Sequence, residues 1–384
     1  MTDAAVLVDG MVAPGFEPVR DAFLANFQRG QVGASCCVYV DGLPVVDLWG
    51  GTLTRESDQP YTDDTLQLVA SATKGAMAIC AHRLAERGQL VLDVPVASYW
   101  PEFAAAGKPD LPVRWLLSHQ AGLPAVDEVV PMADVLRWTP MVDVLAAQKP
   151  YWEPGTAHGY HALTYGWLIG EVLARITGLA PGELLAREIA EPLGIDFWIG
   201  LPDAEAARVC PLAPAPPPPP GAGPDPLAAL MLDSDTLAHK AFFVPNGLFG
   251  MVNDPQLWRA QLPAANGVAN ARALARMYAA CLDEVDGVRL LKPETLAAAT
   301  VQQTTGADRV LGFNSRFALG FQLSFPERPM AGDGSFGHYG LGGTVGFAHP
   351  GRRLTFGYVV NQMLPGGTVD PRSSALIDAT LGCL

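Results

Sequence analysis

The chain has 384 residues, 49% of them hydrophobic, and a formal net charge of −14. That length holds one large domain or two, and the apolar share fills a sizeable core. The acidic balance repels phosphate backbones and anionic bilayers, so neither nucleic acid nor a membrane is expected as a partner.

The first ten residues contain Asp3 and Asp9 but no Lys or Arg, which is not the pattern of a secretory signal. No stretch is long and uncharged enough to span a bilayer. The six cysteines, Cys36, Cys37, Cys80, Cys210, Cys281 and Cys383, lack paired metal-ligand spacing and read as reduced, mostly buried thiols. These features point to a cytoplasmic protein. Residues 16–27 carry apolar positions at helical spacing and predict an opening helix, with Gly30 beyond its end. Residues 34–48 predict two strands around Asp41-Gly42, a strong hairpin signal. From 74 to about 285 the pattern turns mostly helical, most clearly over 76–86 and over 163–176, which closes at Gly178. Residues 211–226, with five consecutive prolines from Pro216 to Pro220, read as a polyproline II surface loop. Strand-like runs return at 318–325, 343–349 and 354–360, and 370–381 suits a closing helix. The order predicts a single α/β domain of the α+β type, an antiparallel sheet from both chain ends flanked by helices. Its sheet part covers about 1–73 and 286–384, with a mostly helical subdomain, about 74–285, inserted between.

Three short motifs carry chemistry. In Ser71-Ala72-Thr73-Lys74, residues three apart share a helix face, which sets the Lys74 amine beside the Ser71 hydroxyl. A serine hydroxyl is a weak nucleophile until a base takes its proton, and a helix start offers free N–H groups and a positive dipole end. Tyr160-His161-Ala162 stands at a loop-to-helix junction, where a phenol can point into a cleft. A free phenol titrates near ~10, and a neighbouring cation can lower that by ~1–3. His338-Tyr339-Gly340 lies in a glycine-rich run at the start of a strand, and an edge strand there can offer a backbone N–H to an oxyanion. Each motif alone has a plainer reading: an N-cap serine, a packing tyrosine, a polar turn histidine. His158 and His161 sit among glycines with no third metal ligand nearby and read as turn or core residues. No G-x-S-x-G elbow, H-E-x-x-H or P-loop occurs, so no metal or cofactor is expected.

In their order along the chain, the three motifs resemble those of the penicillin-recognising serine enzymes. The similarity is greatest to class C β-lactamases, DD-peptidases and family VIII carboxylesterases. The segment from Leu116 to Pro124, L-L-S-H-Q-A-G-L-P, is similar to a family stretch, as are Pro154-Gly155 ahead of Tyr160 and the segment from Gly346 to Pro350. The resemblance runs from about residue 16 to the C-terminus and implies the β-lactamase/transpeptidase fold. It also implies site roles: Ser71 as nucleophile, Lys74 as activating amine, Tyr160 as general base and acid. His338 would open the third motif, Gly340 would give the substrate room, and the N–H groups of Ser71 and Leu341 would form the oxyanion hole. The motifs leave open which group first deprotonates the serine. Two departures bear on substrate: Ala162 stands where many lactamases and DD-peptidases have asparagine, and His338 where many have lysine. Losing the asparagine hydrogen bond costs roughly 1–3 kcal/mol. These departures favour a carboxylesterase for short acyl esters over a β-lactamase or D-Ala-type peptidase. An acyltransferase on the same site and a non-catalytic binding protein on this fold are the other readings. The expected partner is a small-molecule ester or lactam.

Overall fold

The computed structural model describes residues 7–217, 225–243, 247–364 and 369–384. Its strands, in chain order, are β1 Val8–Val12, β2 Gly33–Val40, β3 Leu43–Gly51, β4 Gln67–Ala70, β5 Phe197–Trp198, β6 Gly267–Ala269, β7 Thr304–Ala307, β8 Asn314–Phe317, β9 Gln322–Leu323, β10 Phe336–Tyr339, β11 Val345–His349 and β12 Leu354–Val360. Nine of them form one antiparallel sheet in the order β1-β3-β2-β12-β11-β10-β9-β8-β7. The two chain ends therefore meet in its middle, where β2 pairs with β12 from Ala34↔Val360 to Val40↔Leu354.

The central strands read as unbroken apolar runs because both faces are covered. On one face, the helices Glu17–Asn26 and Pro371–Gly382 place Val19, Phe23, Leu376 and Ile377 against Cys36, Val38, Phe356 and Tyr358. On the other, the helix Ala271–Leu282 packs on β2, β11 and β12. The β2–β3 hairpin turns at Asp41 (φ 52°) and Gly42 (φ 76°). Both central residues of the turn are thus left-handed, which suits the twist of the strands.

The opening helix is Glu17–Asn26, continued by a 3-10 turn at Phe27–Arg29. The two clearest middle helices are Thr73–Glu86 and Thr164–Thr177, the second capped by Gly178 at φ 71°. The closing helix is Pro371–Gly382, with Asp370 as its N-cap. The expected strand at 318–325 shrinks to β9, Gln322–Leu323. A second, three-stranded sheet, β4-β6-β5, sits inside the helical middle. Of the proline-rich stretch, 218–224 lies outside the described residues. All six cysteines are free, and all but Cys383 are buried. Among the described residues no helix is long and apolar enough to cross a membrane.

Candidate active site

Ser71 sits on a sharp turn between β4 and the helix Thr73–Glu86. Ala70, just before it, is forced to φ 46°. A left-handed alanine costs of order 1–3 kcal/mol, so the surroundings must hold it. Thr73 does so: its hydroxyl donates to the Ala70 carbonyl at 2.6 Å and accepts from the Gly267 N–H at 3.0 Å. The turn is thereby clamped to β6, and Ser71 is left half-buried at the edge of a cleft.

Lys74 is fully buried. Its Nζ lies 3.2 Å from Ser71 Oγ, 2.7 Å from the Ala162 carbonyl and 3.0 Å from the Ala264 carbonyl. Burial drives the amine well below its usual pKa, because a charge is costly to desolvate. The two carbonyls accept from the amine in either form, and burial favours the neutral one. A neutral amine has two N–H groups and one lone pair. With both N–H groups on carbonyls, the lone pair is directed at Ser71 Oγ. Ala264 lies in the turn before Asn266, whose side chain accepts from the Leu262 N–H and donates to the Leu257 and Ala260 carbonyls at 2.6–3.1 Å.

Tyr160 is packed in an aromatic box. Its ring stacks on Phe317 at 5.9 Å and meets His119 at 5.2 Å and His338 at 5.8 Å. Lys74 Nζ lies 4.8 Å from the ring centre. Against the expectation from sequence, the phenol pKa is raised. Burial is the main cause and outweighs the hydrogen bond to Ser71 and the Arg328 charge, which both lower it. Tyr160 is therefore a neutral O–H group at rest.

The Tyr160 loop rests on the segment from Leu116 to Pro124. Gly159 N–H donates to the His119 carbonyl at 3.1 Å, Gly155 N–H to the Gln120 carbonyl at 3.0 Å, and Tyr151 N–H to the Gly122 carbonyl at 2.7 Å. His161 Nε2 accepts from the Leu123 N–H at 3.0 Å while its Nδ1 bonds the Gly159 carbonyl at 2.7 Å. That bonding makes His161 a core residue, with its pKa pushed down to about 3. His158 pairs with Ser315 at 3.0 Å. Asp308 escaped the sequence reading. One of its oxygens accepts from the N–H groups of Tyr160, Val310 and Leu311 at 2.8–3.0 Å, and the other from Ser315 at 2.8 Å. No local motif marks it; a carboxylate two residues before a Val-Leu pair looks like any turn acid.

The third motif lies in β10, which is flanked by β9 and β11 and is not an edge strand. The β9 pairing stops at Gly337, so the chain beyond it is free to face the cleft. His338 is buried, and its Nδ1 lies 2.6 Å from the Tyr339 carbonyl. Burial holds it neutral, well below the usual histidine pKa. Its proton thus sits on Nδ1, and the buried Nε2 has no partner. Gly340 serves a different purpose from the one expected. A Cβ there would lie 2.4 Å from the Val69 carbonyl, so glycine is needed for the third motif to pack on β4. This contact sets Leu341 beside the nucleophile turn. Among the described residues no acceptor bonds the N–H of Ser71 or of Leu341. Both residues line one solvent-open pocket, whose other walls are mostly apolar.

With this geometry in hand, likeness to known proteins has a specific meaning. The family model described as "Beta-lactamase" matches residues 8–380. The esterase/beta-lactamase LipL of Mycobacterium tuberculosis is 37% identical over 377 residues, covering 94% of this chain and 85% of that protein. The crystal structure of a family VIII carboxylesterase is 40% identical with a TM-score of 0.89, covering 98% of this chain and 100% of the other. A penicillin-binding protein homologue from Caulobacter crescentus is 37% identical with a TM-score of 0.85, again covering 98% and 100%.

Proposed function

Because the chain belongs to the beta-lactamase family and is a serine hydrolase of that fold, we propose that it is a carboxylesterase working through an acyl-enzyme on Ser71. The observation that carries the reading is the buried Lys74 amine, with both N–H groups on carbonyls and its third direction on Ser71 Oγ at 3.2 Å. Ser71 Oγ attacks the ester carbonyl as its proton passes to Lys74 Nζ. The N–H groups of Ser71 and Leu341 hold the oxyanion. Collapse expels the alcohol oxygen, which takes the Tyr160 proton. The Lys74 ammonium then reprotonates the phenolate, so both groups are reset. Water attacks the acyl-enzyme, and its proton reaches Ser71 Oγ by the same pair as that oxygen leaves.

Ester rather than lactam is supported by Ala162, which reaches the site only through its carbonyl and a methyl. A neutral His338 also offers no charge to a lactam carboxylate. We expect a β-lactam to acylate Ser71 and then stall, because nothing at Ala162 helps place the second water. Chain 1–384 acts as one catalytic domain, and its six unpaired thiols suit the cytoplasm. The test is a fluorophosphonate probe with peptide mapping. A single adduct on Ser71, lost together with turnover in Ser71→Ala, is the expected result. An adduct elsewhere, or an active Ser71→Ala, overturns the reading.

A further inference from the structure

The pocket beside Ser71 is assembled from distant parts of the chain. Leu68 comes from β4, Leu212 from the proline-rich loop, and Leu248 and Phe249 from the 3-10 turn Leu248–Met251. Among the described residues only two polar side chains reach its wall, Ser71 and Asn266. Asn266 is already engaged: Oδ1 accepts from Leu262 N–H at 3.1 Å, and Nδ2 donates to the Leu257 and Ala260 carbonyls at 2.8 and 2.6 Å. Neither Tyr160 nor His338 lines this space. A leaving group must lie against the Tyr160 hydroxyl to be protonated, on the other side of Ser71. The pocket therefore faces the acyl half of the substrate.

We propose that this pocket is an acyl-chain site that takes an unbroken hydrocarbon chain longer than acetyl, in preference both to acetyl and to acyl groups that carry an amide. The proposal rests on the esterase reading above and lengthens the acyl group expected from sequence. A buried amide without partners loses the hydrogen bonds it had in water, and no free side chain here replaces them. An alkyl chain loses nothing and leaves water. Each methylene enclosed is worth ~0.8 kcal/mol, about fourfold in kcat/KM. The pocket is open to solvent on one side, so it encloses only the part of the chain nearest Ser71. Once the chain fills it, further carbons stay in water and the gain stops.

The experiment uses the full chain, with fluorophosphonate labelling of Ser71 to count active sites. One series lengthens the acyl group, from p-nitrophenyl acetate through butyrate and hexanoate to octanoate. A second lengthens the alcohol, from ethyl to butyl to hexyl acetate. We expect kcat/KM to rise about tenfold or more from acetate to hexanoate, well within four enclosed methylenes, and to change little with alcohol length. Leu248→Trp and Val252→Phe, which fill the pocket, lower the hexanoate-to-acetate ratio about fivefold or more, roughly one methylene's worth each. Labelling of Ser71 in these variants shows that the site is intact. A flat or falling acyl series with acetate cleaved overturns the pocket assignment and leaves the esterase reading standing. So does dependence on the alcohol instead, or an unchanged ratio in labelled variants. Failure to cleave any ester while Ser71 is labelled overturns both.

Discussion

Lys74 and Tyr160 can be told apart by the leaving group. Lys74 Nζ presents its lone pair to Ser71 Oγ, and burial keeps both the amine and the phenol uncharged. On the proposed reading the amine is the base in acylation, and the phenol is the acid for the departing alcohol. Each proton transfer is worth about 10²–10⁴ in rate. Lys74→Met keeps the stem but removes the nitrogen. It should lower the acylation rate by about that factor for every ester. Tyr160→Phe keeps the stacking on Phe317 and removes only the hydroxyl. It should cost about the same factor with an alkyl ester, whose alkoxide needs a proton, and much less with a p-nitrophenyl ester, whose phenolate leaves unaided. Acylation is read from the pre-steady-state burst, so that deacylation does not mask it. Lys74→Met also strands the Ala162 and Ala264 carbonyls, about 1–3 kcal/mol each, offset in part by burying no amine. Urea unfolding shows whether the variant is folded at the assay temperature. Equal losses in Tyr160→Phe with both leaving groups would refute the reasoning and make the phenol the base.

Other consequences can be checked as directly. Gly340→Ala would put a methyl 2.4 Å from the Val69 carbonyl; the displaced Leu341 N–H should lower kcat by about 10²–10³, and an unchanged kcat would show that this N–H does not hold the oxyanion. Asp308→Ala leaves four donors without their carboxylate and should destabilise the fold by about 3 kcal/mol or more in urea, with a loss of less than about 1 kcal/mol arguing against its role. His82, His119, His161 and His338 are all pushed down by burial. Unfolding therefore takes up protons below the ordinary histidine value of 6.5, and for His161 this continues down to about 3. Stability present above that window should fall with pH by up to about 1.4 kcal/mol per unit for each histidine, and a urea midpoint that stays flat from pH 7 to 5 contradicts it. Ala162→Asn should raise cephalosporin turnover relative to ester turnover about tenfold, the worth of one hydrogen bond; no change in that ratio would exclude the missing amide as the cause of lactam discrimination.

Legibility in the sequence follows how local each cause is. The Ser71–Lys74 contact needs only three residues of helix spacing. The central strands announce themselves because burial on both faces gives runs such as Cys36-Cys37-Val38-Tyr39-Val40. By contrast, β7 and β8 carry Thr304-Thr305-Gly306-Ala307 and Asn314-Ser315-Arg316-Phe317. They lie at the far end of the sheet with part of each strand exposed, so no apolar pattern marks them. β5 and β6 are two and three residues long, too short to show any period. The anchoring of Tyr160 by Asp308 joins residues that nothing in the local sequence connects. The direction of the Tyr160 shift was misread for a related reason. A nearby cation can be inferred from a motif, but depth of burial is a property of the finished fold.

That depth also ties the chemistry to the choice of substrate. The burial that makes Lys74 a base removes the positive charge that a lysine in water would carry, and the same burial discharges His338. A substrate carboxylate would meet two neutral nitrogens where the motif pattern of a lactamase provides a cation. Neither of these nitrogens would give it an ion pair in return for its lost hydration, a cost that a neutral ester does not meet. His338→Lys would restore a side chain that can carry that charge, but it would also set a cationic group close to Lys74, whose pKa would fall further. The variant should therefore bind anionic lactams more tightly, while activity on esters extends to lower pH as the Lys74 amine stays neutral there. Tighter lactam binding with no acid-side shift of the ester pH profile would mean that the two nitrogens are not coupled, and that Lys74 owes its low pKa to burial alone.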